Sequence, residues 1–330
     1  MAKADDVQLI VRYALEGDDE KVRAAVKLLA SHEREAGRSG VASGFEELLR
    51  RKPVRTVPPP MGSGTEVVSD EDRGLVVERT PARTLDGLVL PAAVRAACEE
   101  LVEEQRAAEL LIEHGLEPRN RMLLVGPPGN GKTSLAEAVA AALDRPLLTA
   151  SYESLISSRL GATSAKLGKI FDIAATRACV LFLDEIDALG KDRGSGDQDV
   201  AEMKRVVNTL LLRMDSVPSY VVVIAATNLA ERLDRAAWRR FQFRLELPAP
   251  GRVEVEAWLA AYARRSGFDF GVPLSELACA LDGRNFAEVE EFARTVRRRY
   301  VLDCGGEGGA EQVVRARLSM FAGQAVLGRP

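Results

Sequence analysis

Apolar residues along the chain fall into two kinds of run. Short unbroken runs span Met122 to Val125, Pro146 to Thr149, Val180 to Leu183 and Tyr220 to Ala225, and a fifth strand candidate is Phe243 to Leu247. Runs of strand length without polar alternation predict strands buried on both faces of a parallel sheet. Between them, apolar positions recur at helical spacing over Lys132 to Leu143, Ala165 to Arg177 and Val200 to Asp215, with a short turn near Asp234 to Trp238. Alternation of this kind predicts an α/β fold, a doubly wound parallel sheet of five strands covered on both sides. After Pro248-Ala249-Pro250-Gly251 the strand pattern stops. Helical spacing returns at Val253 to Ser266, Leu274 to Leu281 and Ala287 to Val301, and again near Gln312 to Phe321 beyond the glycine-rich stretch 305–309.

Upstream of the sheet the pattern is helical as well. Val7, Leu9, Ile10, Tyr13 and Ala14, then Val22, Ala25, Val26, Leu28 and Leu29, suit one apolar helix face, and Phe45, Leu48 and Leu49 suggest a third piece. Pro58-Pro59-Pro60 and Gly62-Ser63-Gly64 interrupt it as a linker. A short segment around Leu75-Val76-Val77 and the Leu85 to Leu90 stretch lead into a helix from Ala92 to His114, ended by Gly115 with Pro118 beyond. The expected organisation is an N-terminal helical domain at 1–52 that binds a partner or merely extends the packing, a linker at 53–74, an α/β domain at 75–250, a helical lid at 251–304 and a C-terminal helix or tail at 305–330.

Composition narrows the classes without choosing one. The 330 residues are 46% hydrophobic and 28% charged, enough for two or three compact units. A formal net charge of −4 gives no nucleic-acid or membrane surface, and the basic Arg297-Arg298-Arg299 reads as a solvated helix face. Cys98, Cys179, Cys279 and Cys304 lack C-x-x-C spacing, and His32 and His114 are the available imidazoles, which argues against a zinc site or a disulfide framework. No signal peptide or apolar run near the ~20 residues of a membrane helix is visible, so a cytoplasmic location is expected.

The chemistry concentrates in Gly126-Pro127-Pro128-Gly129-Asn130-Gly131-Lys132-Thr133, between a strand and the helix that opens with Ser134. This spacing is that of the phosphate-binding loop. Gly126, Gly129 and Gly131 lack a Cβ and tolerate positive φ, so the N–H groups of the loop can turn into one concavity, and the following helix adds its unpaired N–H groups and positive end. Lys132 carries charge to the outer phosphates, and the Thr133 hydroxyl suits Mg²⁺, which prefers oxygen ligands. Asp184 and Glu185 end the Val180 strand, at the sheet edge where open α/β folds bind ligands. There Asp184 can hold Mg²⁺ and Glu185 can take a proton from an attacking water. Asn228 ends the strand of Val221 to Ala225; beside Asp184 it can orient that water, and otherwise it is a turn residue. Arg239 and Arg240 precede the fifth strand, either solvated or reaching a neighbouring subunit's γ-phosphate.

The ordered motifs GPPGNGKT, VLFLDEID, AATN and RRF resemble those of the AAA ATPases, nearer their classical clade than the clamp loaders, over roughly Leu85 to Arg299. The resemblance implies ATP and Mg²⁺ as ligands, a helical lid, and homo-oligomeric rings, commonly hexamers, with active sites between subunits. It implies that Pro128 to Ser134 bind nucleotide, with Lys132 and Thr133 the phosphate-loop pair. Asp184 is then the Mg²⁺ carboxylate, Glu185 the water-activating base and Asn228 the first sensor. Arg239 and Arg240 match the fingers acting in trans, Leu88 and Val89 match the backbone strip beside adenine, and Ala287 lies near the ribose. Two departures stand out. In Ser157-Ser158-Arg159-Leu160-Gly161, Arg159 occupies the position of the pore-loop aromatic residue; in Gly283-Arg284-Asn285-Phe286-Ala287, Arg284 is either a substitute contact or a solvated arginine. The expected function is Mg²⁺-dependent ATP hydrolysis that remodels or unfolds a protein partner. The alternatives are a nucleotide-gated scaffold for a separate effector, such as a separately encoded subtilisin-like protease, and nucleic-acid remodelling.

Overall fold

The computed structural model describes residues 74–151, 162–187, 197–229, 235–303 and 309–324, together with 19–35 and the isolated positions 12, 13, 40, 43, 45 and 231. The expected linker up to residue 73, Leu48 and Leu49, and the Arg159 loop lie outside them. The chain divides into units at 1–54 and 55–330. The first contains helix α1 (Asp19–Glu35), whose Ala25, Leu29 and Ala30 are buried.

In the second unit, β1 (Val77–Arg79) and a 3-10 turn (Leu85–Gly87) precede α2 (Ala92–Arg106) and α3 (Ala108–Glu113). The sheet continues with β2 (Arg121–Val125), β3 (Leu147–Ser151), β4 (Cys179–Asp184), β5 (Val221–Thr227) and β6 (Phe243–Glu246). Its covering helices are α4 (Lys132–Ala142), α5 (Ala162–Ala174) and α6 (Asp197–Ser216), with the short α7 (Arg235–Arg240) before β6. The lid is α8 (Arg252–Ser266), α9 (Leu274–Ala280), α10 (Phe286–Leu302) and α11 (Ala310–Gln324).

The sheet order is β1-β3-β4-β5-β2-β6, parallel except for β1, which pairs antiparallel with β3 through Val77 opposite Thr149. The expectation of five strands therefore needs correction to six. β1 is three residues long and exposed throughout, so it carries no hydrophobic pattern. It forms because the outer edge of β3 offers backbone groups that need partners. The helix expected from Ala92 to His114 is also divided, at Ala107, where neither glycine nor proline marks a break; Arg106 there donates to the Ala142 carbonyl at 2.6 Å.

Period-two alternation sends Leu123, Leu181, Val221, Val223 and Ala225 to one face, under α5 and α6. Met122, Leu124, Val180, Phe182, Val222 and Ile224 go to the other, under α2 and α4. Both faces are thus dry, which is why the central strands read as continuous apolar runs. The lid has its own core around Val255, Leu259, Phe270, Leu277 and Phe292. Val313 and Val314 of α11 belong to that core, so the helix expected as a separate tail packs as part of the lid.

Candidate functional site

The carboxyl ends of β2, β4 and β5 open together on one side of the sheet, and the sequence places a polar segment after each. After β2 the backbone turns at Gly126, whose φ of 155° suits only glycine; a Cβ there would lie 2.2 Å from the Leu247 carbonyl oxygen. Gly131, with φ 85°, is the N-cap of α4 and supplies no side-chain cap. The first N–H groups of α4 are therefore left for an external acceptor, the arrangement that binds anions.

Lys132 is buried, 8% exposed, and its Nζ donates to the Gly126 carbonyl at 2.7 Å, the Pro127 carbonyl at 2.9 Å and Asn228 Oδ1 at 2.7 Å. Burial holds its pKa below the ordinary lysine value, opposed by the charges of Asp184, Asp187 and Glu185. Asp184 is shifted upward, again chiefly by burial, against the Glu185 N–H at 3.0 Å and the Lys132 charge. Glu185 is exposed and has φ 54°, one of two non-glycine residues at positive φ among the described residues. That backbone costs on the order of 1–2 kcal/mol for a residue with a Cβ. It re-aims the carboxylate just where β4 ends.

One cavity of about 320 Å³, the size of a small-ligand site, brings the candidates together. Leu88, Val89, Pro128, Gly129, Asn130, Gly131, Lys132, Thr133, Ser134, Asp184, Glu185, Asn228 and Ala287 all line it. Arg239 and Arg240 do not. Both sit in the last turn of α7; Arg239 is exposed, and Arg240 Nε lies 3.2 Å from each Asp215 carboxylate oxygen. Arg284 pairs with Glu288 at 3.0 Å.

Residues not foreseen from sequence complete the cavity. The lid sends in Trp258, Arg265, Phe286 and Glu290, and the segment before α2 contributes Arg83, Gly87 and Leu90. The lid also touches the phosphate loop, because the Ala287 N–H donates to the Gly129 carbonyl at 3.0 Å. Asp187 is a further missed residue. Buried beneath the site, it accepts from Thr227 Oγ1 at 2.9 Å and from the Asn228 N–H at 3.3 Å, and so orients Asn228. Its signal was present, a third acid two residues beyond Glu185, but strand-end reasoning stopped at the first two.

The Thr133 hydroxyl and Asp184 carboxylate fit a Mg²⁺ ion that keeps most of its ligands as water and phosphate oxygens. Among the described residues no group of three or more His, Cys, Asp or Glu could hold a metal, and no helix is long and apolar enough to cross a membrane.

A family model for the ATPase family associated with various cellular activities (AAA) matches residues 122–249. The chain is 35% identical over 289 residues to y4kL, an uncharacterized AAA family ATPase of Sinorhizobium fredii, a match covering 87% of this chain and 86% of that protein. It is 32% identical over 255 residues to the ATP-dependent zinc metalloprotease FtsH 2 of Sorangium cellulosum, and 34% identical over 228 residues to FtsH of Thermus thermophilus. Those matches take in 74% and 67% of this chain but 42% and 36% of the two proteases, so the chain spans less than half their length.

Proposed function

The chain belongs to the AAA family of ATPases and hydrolyses ATP, and on that premise we propose that it works as a Mg²⁺-dependent homo-oligomeric ring, a hexamer, that remodels or unfolds a protein partner. The observation that carries this reading is the division of the charged groups. Lys132, Asp184, Glu185 and Asn228 share a cavity that Arg239 and Arg240 of the same chain do not enter.

In this reading the loop N–H groups and Lys132 bind the phosphates. Thr133 and Asp184 are the oxygen donors that would hold Mg²⁺, which supplies charge neutralisation at the phosphates. Glu185 takes the proton of the attacking water, and Asn228, braced by Asp187, orients that water. Leu88, Val89 and Ala287 border the base and ribose. The two arginines face a neighbour's nucleotide, and a guanidinium supplied in trans contributes roughly 10³–10⁵ in rate. Assembly then switches turnover on. Hydrolysis measured per chain against protein concentration should rise steeply and plateau. A dilute monomer turning over as fast per chain as the concentrated oligomer would overturn the trans assignment. In this reading the N-terminal unit selects the partner, and capture on a Glu185→Gln trap identifies that partner.

A second reading, favoured by Arg159 at the pore-loop aromatic position, is a nucleotide-gated scaffold that recruits a separate effector such as a separately encoded protease. The FtsH relatives are named zinc metalloproteases, whereas these 330 residues contain no H-E-x-x-H motif. Substituting Arg159 and Leu160 distinguishes the two: partner processing lost with ATPase retained supports threading, and processing retained supports the scaffold. DNA remodelling, the weakest of the three, predicts salt-sensitive stimulation of turnover by DNA.

A further inference from the structure

The phosphate end of the cavity is defined by Lys132, Thr133 and Asp184, but nothing so far selects the base. The remaining lining mixes apolar side chains, Leu88, Val89 and Leu90 from the segment before α2 and Trp258 and Phe286 from the lid, with the charged Arg83, Arg265 and Glu290. Of these, Trp258 is built as a fixed platform. Its indole stacks on Tyr262 with centroids 5.4 Å apart and planes 19° from parallel. Tyr262 is buried, 6% exposed, and stands 6.1 Å from Phe270, which meets Phe268 edge-on at 5.1 Å; Phe268 in turn meets Tyr300 at 5.4 Å. A row of rings through the lid core thus anchors an indole that is itself half-buried and borders the cavity. Packing has already restricted its rotamer, so little side-chain entropy remains to be lost on binding.

We infer that Trp258 is the stacking platform for the nucleobase, and that it makes the site selective for purine over pyrimidine triphosphates through the area of ring it covers. The inference rests on the reading of this cavity as the nucleotide site. It adds a consequence for the lid. Because the Ala287 N–H holds the Gly129 carbonyl, a base seated on Trp258 and a phosphate seated in the loop engage the two sides of one lid contact. Base and phosphate recognition then both favour the same lid position.

Base–aromatic stacking is worth about 1–3 kcal/mol, or about 5- to 140-fold in affinity. In the full chain, Trp258→Ala should raise the KM for ATP within that range with kcat little changed, and should shrink the preference for ATP over CTP. Trp258→Phe should restore most of both, since a smaller ring still stacks. The chain contains two tryptophans, Trp238 and Trp258, so Trp238→Phe leaves Trp258 as its single indole. In that background ATP should quench the fluorescence, and inorganic triphosphate, which has no base, should compete with ATP without quenching. ATP that is displaced by triphosphate yet leaves the indole emission unchanged overturns the platform while leaving the nucleotide site standing. Failure of both ligands to bind overturns the site reading itself. A Trp258→Ala variant weakened equally toward ATP, CTP and inorganic triphosphate shows a lid-folding effect and likewise removes the platform; should that variant not fold, the fluorescence measurement decides.

Discussion

At Gly129 the phosphate loop and the lid meet so closely that one methyl group tests the contact. The residue has φ 79°, and a Cβ built on it would fall 2.7, 2.8 and 3.0 Å from Oδ1, Cγ and Nδ2 of Asn285. Asn285 cannot retreat freely. It is the N-cap of α10, its Oδ1 accepts from the Glu288 N–H at 2.9 Å, and Glu288 Oε2 accepts from its own N–H at 3.0 Å, a reciprocal capping box. Gly129→Ala therefore carries three costs: about 1–2 kcal/mol for alanine in the left-handed region, about 1 kcal/mol for the displaced cap and about 1 kcal/mol for the Ala287–Gly129 hydrogen bond that the shifted lid gives up. The sum is about 3–4 kcal/mol. Asn285→Ala alone loses the cap, about 1 kcal/mol. In the double variant the obstruction is gone, so the hydrogen bond re-forms and the cap is counted once; the total falls to about 2–3 kcal/mol, less than the singles added together by about 2 kcal/mol. Urea unfolding of nucleotide-free protein in the Trp238→Phe background, followed through the lid indole Trp258, measures all three. Additivity within about 0.5 kcal/mol would show that the two residues do not press on each other and would refute the reasoning.

Three further outcomes follow from the same geometry. Glu185→Gln should keep ATP affinity and lower steady-state phosphate release by about 10²–10⁴-fold, the usual worth of a general base; appreciable turnover would remove Glu185 from that role. Asp184→Asn should make the nucleotide-free protein more stable at pH 7 while abolishing hydrolysis. The sign comes from burial, which raises the folded carboxyl above its unfolded value of about 3.9, so its protonation favours the folded state; that contribution is complete below the unfolded value and is lost as pH rises through the folded one. The advantage of the variant in thermal melts should shrink as pH is lowered through that window, and an advantage independent of pH would contradict the burial argument. Gly126→Ala should cost about 3 kcal/mol or more, because the obstruction at 2.2 Å is backbone that cannot rotate away; soluble expression with a wild-type melting temperature would show that the turn relaxes.

Much of this protein was legible before folding, and the reasons are local. A strand covered on both faces must be apolar at every position, so Val180 to Leu183 and Val221 to Ala225 announced themselves as core strands. A backbone that must pass at positive φ close to other chain segments selects glycine, so the spacing of Gly126, Gly129, Gly131 and Lys132 named the phosphate loop. Acids at a strand end pointed to Asp184 and Glu185, and the fold brings both to the cavity beside Lys132. Tertiary structure alone decided the rest. The short β1 exists only because β3 has an edge to satisfy, and α11 joins the lid through Val313 and Val314, whose partners are distant in sequence. Asp187 acquires its orienting task only when β4 and β5 lie side by side. Trp258 reads in sequence as one apolar position among many on a helix; the fold of the lid stacks it on Tyr262 and places it at the border of the cavity. Local patterning specifies which elements form because burial and backbone strain act residue by residue, whereas a site shared between a loop and a lid depends on distances that no sequence spacing encodes.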